Sequence, residues 1–138
     1  MNIIKDFDVI VDATDNLEAR YVINDSCVIL NRPMVHGSIY KYEGIVSVFN
    51  YKGGPTYRCY NPKSEKINYK NPPPAKVGLF GVLPGITGTY MANEVIKILT
   101  GSGEVLSGKI LLINIFNNTY RTLNVNNIPE NHKISELN

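Results

Sequence analysis

Apolar positions along the chain fall into short runs of two different periods. Residues 7–11 (Phe7, Asp8, Val9, Ile10, Val11) are rich in β-branched side chains and almost wholly apolar, as in a strand buried on both faces of a parallel sheet. The period then lengthens. Ala19, Ile23, Cys27 and Leu30 recur at i, i+4, i+8 and i+11, which marks one face of a helix over residues 17–30. Asp15 or Asn16 can cap its start, and Glu18 stands three residues after Asp15, as in a capping box. Asn31, Arg32 and Pro33 end it. Residues 34–42 and 44–51 read as two strands joined tightly at Tyr42, Glu43 and Gly44. Lys52, Gly53, Gly54 and Pro55 form a turn.

Residues 62–76 are polar and hold Pro72, Pro73 and Pro74, which neither a helix interior nor a central strand accepts. They are expected to form a long exposed crossover loop. A second helix is expected over residues 85–100, with Met91, Val95, Ile98 and Leu99 as its apolar stripe. The small residues Gly85, Gly88 and Ala92 would let it pack closely on a sheet, and Gly101 is its C-cap. Residues 109–116 and 119–125 form a last hairpin around Asn117 and Asn118. The tail from Asn126 is polar and expected to fray. The order strand, helix, hairpin, loop, helix, hairpin defines an α/β chain with a mixed sheet.

Composition narrows the function. The chain has 138 residues, 43% of them hydrophobic and 19% charged, enough to build one domain's core. Its 14 basic and 12 acidic residues are mixed along the sequence, so it lacks the basic patch of a nucleic-acid binder. Cys27 and Cys59 belong to no CxxC pair, which suits a cytoplasmic protein with free thiols. No apolar run reaches the roughly 18 residues of a membrane span, and the first residues lack the layout of a signal peptide.

The order of motifs resembles the ThiF/MoeB/HesA family, relatives of the ubiquitin-activating enzymes. The matching pieces are Asp8-Val-Ile-Val-Asp-Ala-Thr-Asp-Asn16, Arg20-Tyr21, Asn24-Asp25, Met34-Val-His-Gly-Ser38 and Glu43-Gly-Ile-Val-Ser-Val-Phe49. Tyr57-Arg-Cys59, Gly81-Val-Leu-Pro-Gly85, Ala92-Asn-Glu-Val-Ile-Lys-Ile-Leu-Thr-Gly101 and Gly108-Lys109 follow. The likeness extends to about residue 129, leaving residues 130–138 as a polar tail.

The resemblance implies the C-terminal half of a Rossmann-like nucleotide-binding fold. It implies an ATP-dependent adenylyltransferase that activates the C-terminal carboxylate of a ubiquitin-like sulfur carrier, for molybdopterin or thiamin synthesis. ATP and Mg²⁺ are the implied cofactors. Asp15 and Asn16 are the implied nucleotide contacts, with Asp15 on Mg²⁺. Electrostatics agrees: a strand that opens onto a helix N-terminus is where open α/β sheets bind ligands, and the helix dipole favours phosphate there. A carboxylate beside phosphate needs a cation between them, and Mg²⁺ is commonly held by one or two carboxylates plus phosphate oxygens. Asp12 is a second carboxylate nearby, and its reach to the metal is left open.

Three departures from the family pattern matter. The glycine-rich loop G-x-G-x-x-G and the phosphate-gripping Arg and Lys that precede the strand are missing, so a complementing N-terminal half or a homodimer is the expected partner. Many members hold a structural zinc on two CxxC pairs; here the first falls at Thr56 to Cys59 with one ligand lost, and the tail has no Cys, so no zinc is expected. The cysteine that members carry at the end of the crossover loop falls at about Val77, which has no nucleophile. Cys59 then reads as a half-buried thiol, Cys27 as core, His36 as a packed histidine and His132 as solvated. Tyr40, Tyr42, Tyr51, Tyr57 and Tyr60 read as strand residues rather than a partner surface. On its own the chain is expected to be inactive. The competing reading is a non-catalytic remnant that keeps only carrier-docking and dimerisation surfaces.

Overall fold

A computed structural model describes residues 2–63 and 78–137. Pro72, Pro73, Pro74 and Val77 lie outside the described residues, and so does most of the expected crossover loop. Among the described residues five strands form one mixed sheet in chain order: β1 (Ile10–Asp12), β2 (Met34–Tyr40), β3 (Glu43–Phe49), β4 (Lys109–Asn114) and β5 (Thr119–Asn124). β1 runs parallel to β2, and all other neighbours are antiparallel. A parallel pair needs a long crossover, supplied by helix α1 (Leu17–Ile29), whereas antiparallel pairs need only tight turns. Lys41 at φ 52° turns β2 into β3, and Asn118 at φ 54° turns β4 into β5. Helices α2 (Tyr57–Tyr60) and α3 (Leu83–Thr100) complete the chain with short 3-10 turns at Ile4–Asp6 and Pro129–His132.

The alternation of side chains across β2 divides the core between the two faces of the sheet. Met34 joins Tyr21, Cys27, Phe49 and Tyr57 beneath α1 and α2. Val35 joins Val46, Val48, Met91 and Ile113 beneath α3. The central strands β2 and β3 are therefore covered on both faces, whereas β5 is exposed.

Several sequence expectations are corrected. The first strand begins at Ile10, not Phe7, because its partner β2 begins at Met34 and the register pairs those two residues. Phe7 is exposed. The close approach of α3 to the sheet comes from glycines on the strands, not on the helix. A Cβ on Gly37 would lie 2.1 Å from Met91 Sδ, and one on Gly44 would lie 2.3 Å from Thr87 Oγ1. Gly85, Gly88 and Ala92 face outward, and a Cβ on either of those glycines would meet nothing within 4 Å. The buried stripe of α3 is Leu83, Thr87, Met91 and Glu94, while Leu99 is 60% exposed. Glu94 can be buried because it ion-pairs with Lys97 and accepts a 2.9 Å hydrogen bond from Leu106 N. Gly101 caps the helix in the left-handed conformation, as expected.

The tail does not fray at Asn126. Asn127 Nδ2 donates to Gly53 O at 2.9 Å, and the His132 ring lies 2.7 Å from Asn127 Oδ1. No described helix is long and apolar enough to cross a membrane.

Candidate functional site

β1 ends at Asp12 and α1 begins at Leu17, so residues 13–16 cross from the sheet to the helix. Asp12 is fully buried, beside His36 in the parallel register. His36 Nδ1 donates to Asp12 Oδ2 at 2.7 Å. Thr14 donates to Asp12 Oδ1 from its backbone N at 3.0 Å and from Oγ1 at 2.7 Å. Arg20 then reaches back from the first turns of α1, donating from Nε and Nη2 to Thr14 O at 3.2 and 2.7 Å. The rings of Phe49 and Tyr57 flank the imidazole.

Burial pushes the Asp12 carboxyl up, but the hydrogen bonds from His36 and Thr14 outweigh it and hold the group below its ordinary value. Burial also pushes the His36 imidazole down, further than the hydrogen bond to Asp12 and its charge raise it. The pair is thus a carboxylate and a neutral imidazole that carries its proton on Nδ1. Both Asp12 oxygens accept hydrogen bonds within the fold, which makes that carboxylate an anchor for the turn. His36 is a packed histidine, as expected, but it packs by holding this anchor.

The anchor determines what the next residues can do. Asn16 is the N-cap of α1: its Oδ1 accepts from Ala19 N at 2.8 Å. The capping box expected between Asp15 and Glu18 is therefore not formed, because the helix starts one residue later. Asp15 does not cap; it is exposed at the positive end of the helix, with Asn16 Nδ2 at 3.4 Å from its Oδ1. Asp15 thus presents a carboxylate outward beside the helix end, and Asn16 keeps its amide group on the same side.

Other motif pieces meet in ways that spacing did not reveal. Asn24 and Asp25 are buried on α1. Asn24 Oδ1 accepts from Tyr57 N at 2.8 Å, and Arg58 grips Asp25 bidentately at 2.7 and 2.6 Å. A polar pair on an apolar helix face is the sequence signal that anticipates such a joint. Cys27 is buried, and burial together with the charge of Asp12 pushes its thiol up to about 12, so it is inert core. Tyr57 is buried, while Tyr40, Tyr42 and Tyr60 are partly exposed. An open groove of about 710 Å³ along α3, lined by Val82, Ile86, Thr89 and Tyr90, shares no residue with the strand–helix junction. Among the described residues no three His, Cys, Asp or Glu side chains are grouped to hold a metal ion.

A mixed five-stranded sheet whose first strand opens onto a helix N-terminus defines an α/β class of fold, in which ligands commonly bind beyond the C-terminal ends of the strands. The sequence pattern of the ThiF family matches residues 1–134. A probable molybdopterin-synthase adenylyltransferase of Porphyra purpurea is 46% identical over 114 residues, covering 83% of this chain and 30% of that protein. A sulfur carrier protein adenylyltransferase of Thermus thermophilus is 39% identical over 140 residues, covering 94% of this chain and 49% of that protein. The fold is also similar to that of MccB from E. coli, in a structure with ATP: the TM-score is 0.72 at 19% identity, over 94% of this chain and 39% of that one. The chain belongs to the ThiF family. It spans a third to a half of the length of those two curated relatives.

Proposed function

We propose that the chain is the C-terminal part of an ATP-dependent adenylyltransferase that activates the C-terminal carboxylate of a ubiquitin-like sulfur carrier. One observation carries this reading: Asp12 is fully engaged inside the fold while Asp15 stands exposed beside the N-terminus of α1, which Asn16 caps. A buried Asp12 fixes the turn, and Asp15 is left as the carboxylate for a ligand. The names of relatives 39–46% identical to this chain support the substrate class.

In the proposed reaction a carboxylate oxygen of the carrier attacks the α-phosphorus of ATP. A new P–O bond forms, the bond between the α-phosphorus and its bridging oxygen breaks, and pyrophosphate leaves with that oxygen and its electron pair. Asp15 would hold Mg²⁺, which supplies charge compensation for the departing pyrophosphate. The donor chemistry fits, since one free carboxylate plus phosphate oxygens is an ordinary Mg²⁺ set. Asn16 would contact the nucleotide through Nδ2, because its Oδ1 is occupied by the cap. The α1 dipole would favour the phosphates. His36, Thr14 and Arg20 hold the turn in place.

The 138 residues carry no glycine-rich phosphate loop; we take a complementing N-terminal half, on this chain or another, to supply it. ATP–pyrophosphate exchange by the chain reconstituted with such a half and a carrier ending in Gly-Gly tests the proposal. Exchange that appears only with both components supports it; absence of exchange with any ubiquitin-like carrier contradicts it.

A further inference from the structure

Thr56 and Cys59 are three residues apart, and Ile128 and Asn131, also three apart, close on them from the tail. The first pair stands where the family resemblance sets one CxxC pair of a structural zinc, and the second lies in the tail, where the other is expected. The donor set does not fit the metal. Zinc in a structural site takes four Cys or His ligands, and here one thiol faces a hydroxyl, an aliphatic side chain and an amide.

What fills the place is a set of hydrogen bonds on one sulfur. Ile128 N donates to Cys59 Sγ at 3.4 Å, and Asn131 Nδ2 donates to it at 3.5 Å. Thr56 Oγ1 lies 3.5 Å from the same sulfur. The thiol can return a proton towards Ile128 O at 3.8 Å. Cys59 N donates to Thr56 O at 3.0 Å, which fixes the loop beneath. Asn127, one residue before the cluster, adds the hydrogen bond to Gly53 O. Burial pushes the Cys59 thiol up, but the hydrogen bonds from Thr56, Asn131 and Ile128 outweigh it and bring it below its ordinary value.

We infer that this chain fastens its C-terminal segment without a metal, by a hydrogen-bonded cluster centred on Cys59 Sγ that joins Thr56 to Ile128 and Asn131. The cluster sits at the end of α2, whose Tyr57 and Arg58 are clamped to Asn24 and Asp25 of α1. The tail, α2 and α1 are thus tied in series, and the tie persists in a chelator.

Two measurements test this. Elemental analysis of the purified protein should find well under one zinc per chain, and excess chelator should leave the melting temperature unchanged. Stoichiometric zinc, or a chelator-dependent fall in melting temperature, would overturn the inference. Hydrogen exchange then separates a clamp from a bystander thiol. In Cys59→Ala the Ile128 amide should exchange about tenfold faster than in the wild type, and Cys59→Ser should restore part of the protection. Asn131→Ala should speed the same amide while leaving the thiol intact. Unchanged exchange at Ile128 in both alanine variants would show that the sulfur holds nothing.

Discussion

Asp12 and Asp15 lie in the same turn, yet the first is buried and the second exposed. Asp12 is buried with both oxygens engaged, so removing it strands the donors of His36 and Thr14. Asp12→Ala should therefore cost about 2–5 kcal/mol in urea unfolding, whereas Asp15→Ala should stay within about 0.5 kcal/mol. The His36 environment gives a pH signature. Its folded value lies below the ordinary 6.5, so below that pH the unfolded chain takes up a proton that the folded chain refuses. Stability is then complete above about pH 6.5 and falls as the pH drops below it, by up to about 1.4 kcal/mol per pH unit. Asp12 adds a second loss, below its ordinary 3.8. Thermal melts from pH 7.5 to 5 should show the first fall, and His36→Asn, which keeps a donor for Asp12 but does not titrate, should remove it. A fall of the same size in that variant would locate the proton elsewhere. The motif around Asp15 and Asn16 was legible in the sequence because strand, carboxylate and helix start are local. The contrast between the two carboxylates was not, because His36 reaches Asp12 only through the parallel pairing of β1 with β2.

At the level of elements, the approach of α3 to the sheet rests on two strand glycines. Gly37→Ala should destabilise by about 1–3 kcal/mol by forcing Met91 out of place, while Gly88→Ala on the outer face of α3 should be neutral or stabilise by up to about 1 kcal/mol. The opposite ranking in chemical denaturation would return the close contact to the helix glycines. The sequence pattern found every helix and strand longer than four residues among those described: α1, β2, β3, α3 and β4 through apolar positions of regular period, and the exposed β5 through the Asn117-Asn118 turn before it. On α3 it placed Met91, Val95 and Ile98 on the packed face, but it included the exposed Leu99 and missed Glu94, a buried carboxylate made tolerable by Lys97 and Leu106 N. It also read the tail as frayed, since polar side chains look solvated until their partners on Gly53 and Cys59 are in place.

On the scale of the whole molecule, the sheet has two open sides. β1 pairs with β2 alone among the described strands, and β5 is exposed along its length. Val11, Val22, Val82, Ile96 and Leu99 each leave roughly half or more of their surface uncovered. A parallel edge and apolar helix faces left in water favour association. Light scattering on the isolated chain should therefore give a dimer or larger species; a clean monomer across the micromolar range would show that the domain is self-sufficient. The proposed activity belongs to this scale too: on that proposal, Asp15 and the N-terminus of α1 would form the cation and helix-dipole side of a nucleotide site.

ATP–pyrophosphate exchange with Asp15→Ala is therefore the decisive measurement, made in the reconstituted enzyme with a Gly-Gly-ending carrier and Mg²⁺. Exchange should fall by about 100-fold or more with the melting temperature unchanged, and the isolated wild-type chain should show none. Full exchange by the Asp15→Ala enzyme, or exchange by the isolated chain, would contradict the assignment of this turn as the Mg²⁺–nucleotide side of a divided site.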